Sequence, residues 1–386
     1  FYDPNTHGVN WKSVRAKYET RLPMVATRND LTQVLGDMIA ELNTGHCYVG
    51  GPSAFRQSGA QPGMLGADFE WDAGANAYRI TKILRGETWS PEERSPLAEP
   101  GLGVHEGDYL FKVRGKDVSR NVDPAALLIG TAGQQITLTV NSKPTAAGAR
   151  NVTVVPISNE SYMRQQEWIN GRRAYVNRVS GGQIGYVYVG DMSRDGAYQF
   201  ATAYYPNTLK PALIIDVRGN GGGNISGNLL GDLSSKITGY FTFRAGGRYW
   251  RERWAPMGQV VALTNEFAFS DGEYFSEFFK RLKIGPLVGH RTGGGEVGSG
   301  GGYRMTDGGA VFIPNYGAWV PGEWIIEGRG AVPDVEIDQD PAAVMAGKDP
   351  QLDKAIEIIL DNLKKHPFVK PEHPPFPVKL GGSRGS

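Results

Sequence analysis

A strand-helix-strand pattern at residues 259–289 restricts the fold of this chain more than any other feature of its sequence. The stretch begins with the apolar run 260–264 and ends with another at 286–289. Between the two runs, apolar residues recur at helical spacing: Tyr274, Phe275, Phe278, Phe279 and Leu282. This pattern is typical of a βαβ unit in a buried parallel sheet.

Ser270 lies where the first of these strands would end and the helix would begin. A hydroxyl at that point is close to the free N–H groups and the positive dipole end of the helix, which suits acyl-transfer chemistry. Ser270 also fits a purely structural role, because Ser270 and Glu273 have the spacing of a capping box. The stretch by itself leaves both interpretations open.

Charge and composition exclude several functional classes. The 386 residues include 41 basic and 40 acidic side chains, so a net charge of +1 gives no sign of nucleic-acid or anionic-membrane binding. The single cysteine, Cys47, excludes an intramolecular disulfide framework. No apolar run approaches the roughly 20 residues that span a bilayer. We therefore expect a cytoplasmic protein.

Changes in pattern divide the chain into four segments. We expect a helical subdomain at 1–50, a β-domain at 64–156, an α/β subdomain at 157–366 and a proline-rich tail at 367–386 that ends in an added Gly/Ser linker. The alternating strands and helices of the α/β subdomain predict a mainly parallel sheet with helices on both faces and a last helix at 350–365. Because the chain does not begin with Met, we expect further segments upstream.

The first segment has the pattern of two helices, at 10–21 and 30–42. Asn29 or Asp30 is the expected cap of the second helix. His46 follows in a short extended piece.

The β-domain contains a segment, 95–115, that is similar to PDZ domains. Such domains bind a peptide by adding it as a strand to a sheet edge. The glycine loop that would hold a C-terminal carboxylate is matched only loosely, by residues 64–69. A small β-domain that serves as a spacer is the alternative interpretation.

Two glycine-rich segments lie in the α/β subdomain. The turn 218–224 offers the amides of Gly222 or Gly223, which together with the Asp271 amide would suit a developing oxyanion. It lacks the Gly-Lys-Ser/Thr ending of a phosphate loop, and no dinucleotide or metal motif is present, so we expect neither cofactor nor metal. The second segment, 292–302, is expected to be a flexible surface loop near the site.

A serine nucleophile needs a base, and three of the six histidines remain after His105 in the β-domain and His366 and His373 at the C-terminal end are set aside. These are His7, His46 and His290. Spacing does not decide between them.

Six motifs, in order along the chain, resemble the catalytic half of the tricorn protease family and, more distantly, the C-terminal-processing peptidases: FYDPNTHGVNW, NTGHCYVGG, SPLAEPGLGVHEGDYL, IIDVRGNGGGNIS, FAFSDGEYFSE and IIEGRGAVPDVEI. The resemblance implies an α/β multidomain fold with a helical subdomain, a PDZ domain and a crotonase-like α/β/α catalytic subdomain. It also implies Ser270 as nucleophile, His46 as general base and Glu327 as the acid that orients groups behind the histidine. The oxyanion hole would be formed by the Gly222 or Gly223 amide and the Asp271 amide.

One position departs from the family pattern. Where the family has a serine directly before the catalytic histidine, this chain has Gly45. Glycine has no side chain to donate a hydrogen bond, so Glu327 must act through water or through another residue, or contribute less to catalysis.

The resemblance further implies a serine peptidase that trims oligopeptides downstream of a larger protease, with upstream β-propeller domains and assembly into a hexamer. A preference for basic P1 residues would depend on an acid from a neighbouring subunit, for which Asp232 and Glu252 are candidates. One alternative is a C-terminal-processing peptidase with a Ser/Lys pair, although the nearest lysine, Lys280, is ten residues from Ser270. The other alternative is a PDZ-containing peptide-binding scaffold whose catalytic site has decayed.

Overall fold

The computed structural model of the chain describes residues 1–51, 62–86, 93–244, 248–250 and 254–377. They form two compact units. The first unit comprises Phe1–Gly50, Val176–Arg304 and Ala310–Ser386, and the second comprises Gly51–Tyr175 with Met305–Gly309. Within the described ranges, no helix has the length and apolar character needed to cross a membrane.

The described residues form nine α-helices: α1 Trp11–Glu19, α2 Arg28–Ala40, α3 Pro124–Leu127, α4 Ser161–Val179, α5 Arg194–Tyr204, α6 Ser226–Ser234, α7 Asp271–Arg281, α8 Pro341–Met345 and α9 Pro350–Lys365. They also form eighteen strands: β1 Tyr48–Gly50, β2 Ala67–Asp72, β3 Ala77–Ile83, β4 Tyr109–Val113, β5 Lys116–Asp117, β6 Ile136–Asn141, β7 Arg150–Val154, β8 Ile184–Tyr188, β9 Ala212–Asp216, β10 Tyr240–Thr242, β11 Arg248–Trp250, β12 Gln259–Thr264, β13 Leu287–Gly289, β14 Gly302–Arg304, β15 Ala310–Phe312, β16 Trp319–Val320, β17 Glu323–Trp324 and β18 Val335–Glu336.

The first unit is built on a five-stranded sheet in the order β18-β13-β12-β9-β8. All four pairings are parallel, which confirms the predicted parallel sheet. Strand β9 and the edge strand β8 are buried along their whole length, as expected for a sheet covered on both faces. The stretch 259–289 supplies β12, α7 and β13, so the predicted βαβ unit is confirmed.

Helices cover both faces of this sheet. On one face, α5, α6 and α7 bury large apolar side chains, including Phe200, Leu229 and Phe275, against residues of the strands. Each such side chain contributes about 1.5–3 kcal/mol when fully buried. Helix α9 has the predicted bounds and lies against β12 and β13.

The N-terminal helices belong to the first unit. The cap of α2 differs from the prediction, because Thr27 is the N-cap and Asp30 closes the capping box from the third helical position. A threonine that accepts the Asp30 N–H leaves Asn29 and Asp30 already inside the helix. After α2, strand β1 pairs antiparallel with β15, which fixes the chain on the far side of His46.

The second unit contains an antiparallel sheet in the order β2-β3-β4-β6-β7 around its own apolar core. In the loosely matched glycine loop, the Gly66 amide donates a hydrogen bond to Glu160 Oε2 at 3.1 Å. Glu160 directly precedes α4, a helix of nineteen residues that the sequence pattern did not predict. Its apolar residues lie in small clusters six or seven residues apart, and this spacing explains why its helical period was not recognised.

Candidate active site

Two loops leave neighbouring parallel strands at the same edge of the sheet. Strands β9 and β12 are paired, with Asp216 opposite Leu263, so the chain segments that follow them emerge side by side. The loops are joined by two hydrogen bonds: Phe269 N–H donates to the Asn220 carbonyl at 2.9 Å, and Gly219 N–H donates to Asn265 Oδ1 at 2.8 Å. This is the sheet edge at which ligands bind in open α/β folds.

Ser270 lies on the second of these loops, as the N-cap of α7, with φ 53° and ψ −126°. An L-residue seldom adopts this conformation, and such strained residues concentrate at functional sites. The predicted capping box is confirmed, with Glu273 Oε2 accepting the Ser270 N–H at 3.3 Å. Ser270 is half-buried at the positive end of the α7 dipole.

The glycine turn packs directly against the serine. A Cβ atom placed on Gly222 would lie 2.6 Å from Ser270 Cβ and 3.1 Å from Ser270 Oγ, so only glycine fits at this position. The Gly222 N–H donates to Asn220 Oδ1 at 3.0 Å. Among the hydrogen bonds of the described residues, the amides of Gly223 and Asp271 have no acceptor.

The Asp271 side chain has a structural role. Its carboxylate accepts the Ser226 hydroxyl and, at 2.9 Å, the Ser226 N–H, which joins the first turn of α6 to the first turn of α7. A groove of about 490 Å³ lies between these helices and is lined in part by Leu230, Tyr274 and Phe278.

His46 lies in the loop between α2 and β1, and its backbone is in the left-handed region with φ 53°. Burial lowers the pKa of His46 below its ordinary value, while the nearby Glu327 carboxylate opposes that shift. The ring is therefore neutral at pH 7 and able to accept a proton. Its Nδ1 atom is buried and has no hydrogen-bond partner among the described residues.

Glu327 holds the His46 loop through neighbouring residues. Its Oε1 atom accepts the Thr44 hydroxyl at 3.0 Å and the Gly45 N–H at 2.7 Å. These bonds hold the backbone beside His46, but among the described residues they do not reach the His46 ring. Thr44 was not among the predicted site residues, although the hydroxyl directly before Gly45 was a signal for it.

The segment 292–302 matches the predicted surface loop only in part: residues 300–302 are exposed, whereas much of 292–298 is buried. Thr292, Glu296 and Val297 are at most 4% exposed, and the Ser270 N–H donates to the Gly295 carbonyl at 3.0 Å. Glu327 Oε2 accepts the amides of Glu296 and Val297 at 2.8 and 2.9 Å. Hydrogen bonds to the carboxylates of Glu273 and Glu327 fix residues 292–297 despite the glycine content of the segment.

The other two histidines have different surroundings. His7 uses both ring nitrogens, with Nδ1 bonded to the Leu42 carbonyl at 2.9 Å and Nε2 accepting the Tyr2 hydroxyl at 2.7 Å. His290 lies within 4 Å of three acids, at 3.9 Å from Glu266, 3.9 Å from Glu336 and 3.7 Å from Asp338.

The two candidate P1 acids receive no support from the structure. Asp232 is half-buried and accepts the Tyr205 hydroxyl at 3.0 Å, and burial raises its pKa above the ordinary value. It is therefore engaged within its own chain. Glu252 lies outside the described residues.

Two further acids beside the site were missed as functional candidates. Glu273, which the sequence presented only as a capping residue, is fully buried and accepts bonds from the segment 292–302. Glu296 is 1% exposed. Burial raises the pKa of Glu296 to about 8, the Ala318 amide opposes the shift, and the Glu327 and Glu273 charges add to it. A charged residue within a glycine run was the available signal for Glu296.

Three family models match consecutive parts of the chain. Residues 1–40 match the tricorn protease C1 domain, residues 63–159 the tricorn protease PDZ domain, and residues 183–337 peptidase family S41. The chain is therefore a relative of the tricorn proteases. Its sheet edge, Ser270 and Glu327 all fall within the part that matches family S41.

Individual relatives agree with this relationship. The chain is 39% identical to tricorn protease homolog 1 of Streptomyces coelicolor over 96% of its own length and 35% of that protein. It is 31% identical to the tricorn protease of Thermoplasma acidophilum, over 93% of this chain and 33% of that protein. The crystal structure of the tricorn protease superposes with a TM-score of 0.84 at 30% identity, over 92% of this chain and 34% of that one. The chain spans about a third of the length of these relatives.

Proposed function

We propose that this chain is a serine peptidase that cleaves oligopeptides through an acyl-enzyme on Ser270. One observation carries the proposal. A serine in a strained strand-to-helix turn packs against a glycine turn with unused amides, and the segment bonded to that serine also contacts the acid that holds the His46 loop.

Each residue then has a defined role. His46 takes the Ser270 hydroxyl proton as the oxygen attacks the peptide carbonyl, and the negative charge develops on the carbonyl oxygen. The Gly223 and Asp271 amides stabilise that charge, at about 3 kcal/mol for each donor. Gly222 is the weaker candidate for this role because its N–H already donates to Asn220. His46 returns the proton to the leaving amine, and water hydrolyses the ester.

The Ser/Lys alternative fits the geometry less well. Lys280 lies near the end of α7. It donates to the Val332 carbonyl and lies 3.6 Å from Asp334. These contacts hold it at the opposite end of the helix from Ser270.

Turnover by matched histidine variants tests the proposal. Wild type should hydrolyse a fluorogenic oligopeptide, His46→Ala should lose at least about 100-fold in kcat/KM, and His290→Ala should retain wild-type turnover. Loss of turnover in His290→Ala with retention in His46→Ala would reverse the assignment of the base. Peptide binding by wild type without any turnover would favour the decayed scaffold.

We extend the proposal to the setting of the reaction. The relationship to tricorn proteases supports a cytoplasmic enzyme that trims peptides left by a larger protease, in a homo-oligomer, a hexamer by resemblance, with upstream β-propeller domains. Large exposed aromatic side chains on β14, β16 and β17 support assembly: Tyr303, Trp319 and Trp324 are each more than 60% exposed. Light scattering on the purified chain measures the assembly state.

A further inference from the structure

Glu273 occupies an unusual position for a capping residue. It lies in the first turn of α7 with no exposed surface. Its Oε1 atom accepts the Thr292 hydroxyl at 2.6 Å and the Gly294 N–H at 2.7 Å. Its Oε2 atom accepts the Gly295 N–H at 2.8 Å and the Ser270 N–H at 3.3 Å. Both oxygens are therefore fully used, whereas a capping box requires only the bond to Ser270.

Two carboxylates share one short piece of backbone. Glu273 accepts the amides of Gly294 and Gly295, and Glu327 accepts the next two amides, those of Glu296 and Val297. Four consecutive N–H groups are thus divided between an acid on the Ser270 helix and an acid that holds the His46 loop. Bonds of this kind to ionised acceptors are about twice as strong as neutral ones.

Close packing explains why this backbone needs glycine. Gly294 has φ 84°, and a Cβ atom on it would lie 3.1 Å from the amide nitrogens of Arg329 and Gly330. A Cβ atom on Gly45 would lie 3.1 Å from the Gly295 Cα. The segment 292–297 therefore fits tightly between the loop that carries His46 and the turn that carries Glu327.

We infer that Glu273 is a positioning residue, whose carboxylate holds segment 292–297 so that the nucleophile Ser270 and the base His46 keep a fixed relative position. The path runs from Glu273 through Gly295 to Val297, then through Glu327 to Thr44 and Gly45. The catalytic part of this inference rests on the proposed function. The set of hydrogen bonds by which Glu273 holds segment 292–297, the clamp, is a claim about the structure alone.

Three substitutions separate the clamp from simple loss of packing. Glu273→Gln keeps the size of the side chain but turns one acceptor oxygen into an NH₂ group. That group faces either the Gly295 and Ser270 amides or the Gly294 amide and the Thr292 hydroxyl. Glu273→Asp keeps the charge. Thr292→Val removes one donor to Glu273 and the acceptor of the Ala331 N–H, with little change in shape. Glu277→Gln is the matched control, because it lies one turn along α7 and loses only an ion pair with Arg281.

Hydrogen exchange read by mass spectrometry tests the clamp independently of catalysis. In Glu273→Gln, peptides covering 292–302 and 43–48 should both exchange about tenfold faster or more, with a smaller effect in Thr292→Val and none in Glu277→Gln. The two peptides are distant in sequence, so their joint response reports the path between them. Unchanged exchange at 43–48 when 292–302 exchanges faster would overturn the inference, as would unchanged exchange at both.

Covalent labelling by a fluorophosphonate then tests the catalytic consequence. Glu273→Gln should label about 100-fold more slowly, as expected for a misplacement of about 1 Å. The midpoint of its labelling rate against pH should rise toward the ordinary His pKa of about 6.5. The reason is that burial lowers the pKa of His46 and a loosened loop admits water. Glu273→Asp should restore part of the rate. A slow Glu273→Gln with an unchanged midpoint and no recovery in Glu273→Asp would show a merely structural residue and overturn the inference. If wild type itself fails to label, the proposed function fails, and the exchange measurement still decides the clamp.

Discussion

The buried acid Glu296 gives a stability prediction whose sign follows from its surroundings. Its Oε1 atom accepts the Tyr274 hydroxyl and, at 2.8 Å, the Ala318 N–H. Its Oε2 atom is buried and has no partner among the described residues. Burial raises the pKa of Glu296 from 4.5 to about 8 in the folded protein. The folded state therefore binds a proton that the unfolded chain has lost between these two pH values.

The sign of the pH dependence follows by linkage. Because the folded-state pKa is raised, the stabilisation is complete below the unfolded value of 4.5 and is lost as the pH rises through about 8. A proton bound in the folded state and absent from the unfolded state changes the free energy of unfolding by about 1.4 kcal/mol for each pH unit. Integrated from about pH 6 to about pH 8, the loss is on the order of 2 kcal/mol.

Glu296→Gln removes this dependence, because glutamine resembles the protonated acid and its single oxygen can still accept from Tyr274 and Ala318. Wild type should lose about 2 kcal/mol relative to Glu296→Gln between about pH 6 and about pH 8. The free energy of unfolding of the first unit is measured at each pH by urea unfolding, read by hydrogen exchange of the buried β9 and β12 amides. Glu357→Gln on the exposed face of α9 is the control and should show a pH-independent difference. A Glu296→Gln difference that is flat with pH, or that has the opposite sign, would refute the reasoning.

Three other substitutions test separate parts of the structure. Gly222→Ala should slow labelling of Ser270 by at least about 100-fold, because its Cβ atom would lie 2.6 Å from Ser270 Cβ. Gly221→Ala has open space around its Cβ atom and should label normally. Equal labelling rates in the two variants would contradict the packing of Gly222 against Ser270. Arg218→Leu should destabilise the first unit by about 3–5 kcal/mol in urea unfolding, because it leaves the buried Asp216 and Asp349 without their cation. A decrease in the free energy of unfolding below about 1 kcal/mol would show that these two ion pairs contribute little. Glu160→Ala should free the Gly66 amide, so that the variant binds a peptide with a free C-terminus more tightly than the amidated form of that peptide in fluorescence anisotropy. The same preference in wild type would show that Glu160 does not block the Gly66 amide.

Regular packing made much of the fold predictable from sequence. The apolar periods at 259–289 and 350–365 fixed a βαβ unit and a terminal helix, because burial of one face imposes a period on the residues. The small, separated apolar clusters of α4 gave no such period, and that helix was missed. The α2 cap was misplaced because Asn29 and Asp30 are also good capping residues and only the Thr27 geometry separates them.

The residues named for the candidate site stay a prediction, and the bonds that join them were not part of that prediction. Ser270 and the glycine turn follow from the order of strands and loops, and the choice of His46 and Glu327 came from the family resemblance. The bonds that join them run from carboxylates to the backbone amides of Gly45, Glu296 and Val297. Backbone amides are present at every residue except proline, so no pattern of side chains marks which of them a carboxylate will bind. Segment 292–302 was predicted to be flexible from its glycine content, and no side-chain pattern indicated the carboxylates that bind its amides.

Site mapping of a fluorophosphonate adduct tests most directly the proposal that Ser270 is an activated nucleophile. After reaction with wild type, mass spectrometry of the digested protein should place the adduct on Ser270, and His46→Ala should label far more slowly. Absence of an adduct on wild type, or an adduct that persists in Ser270→Ala, would contradict the account.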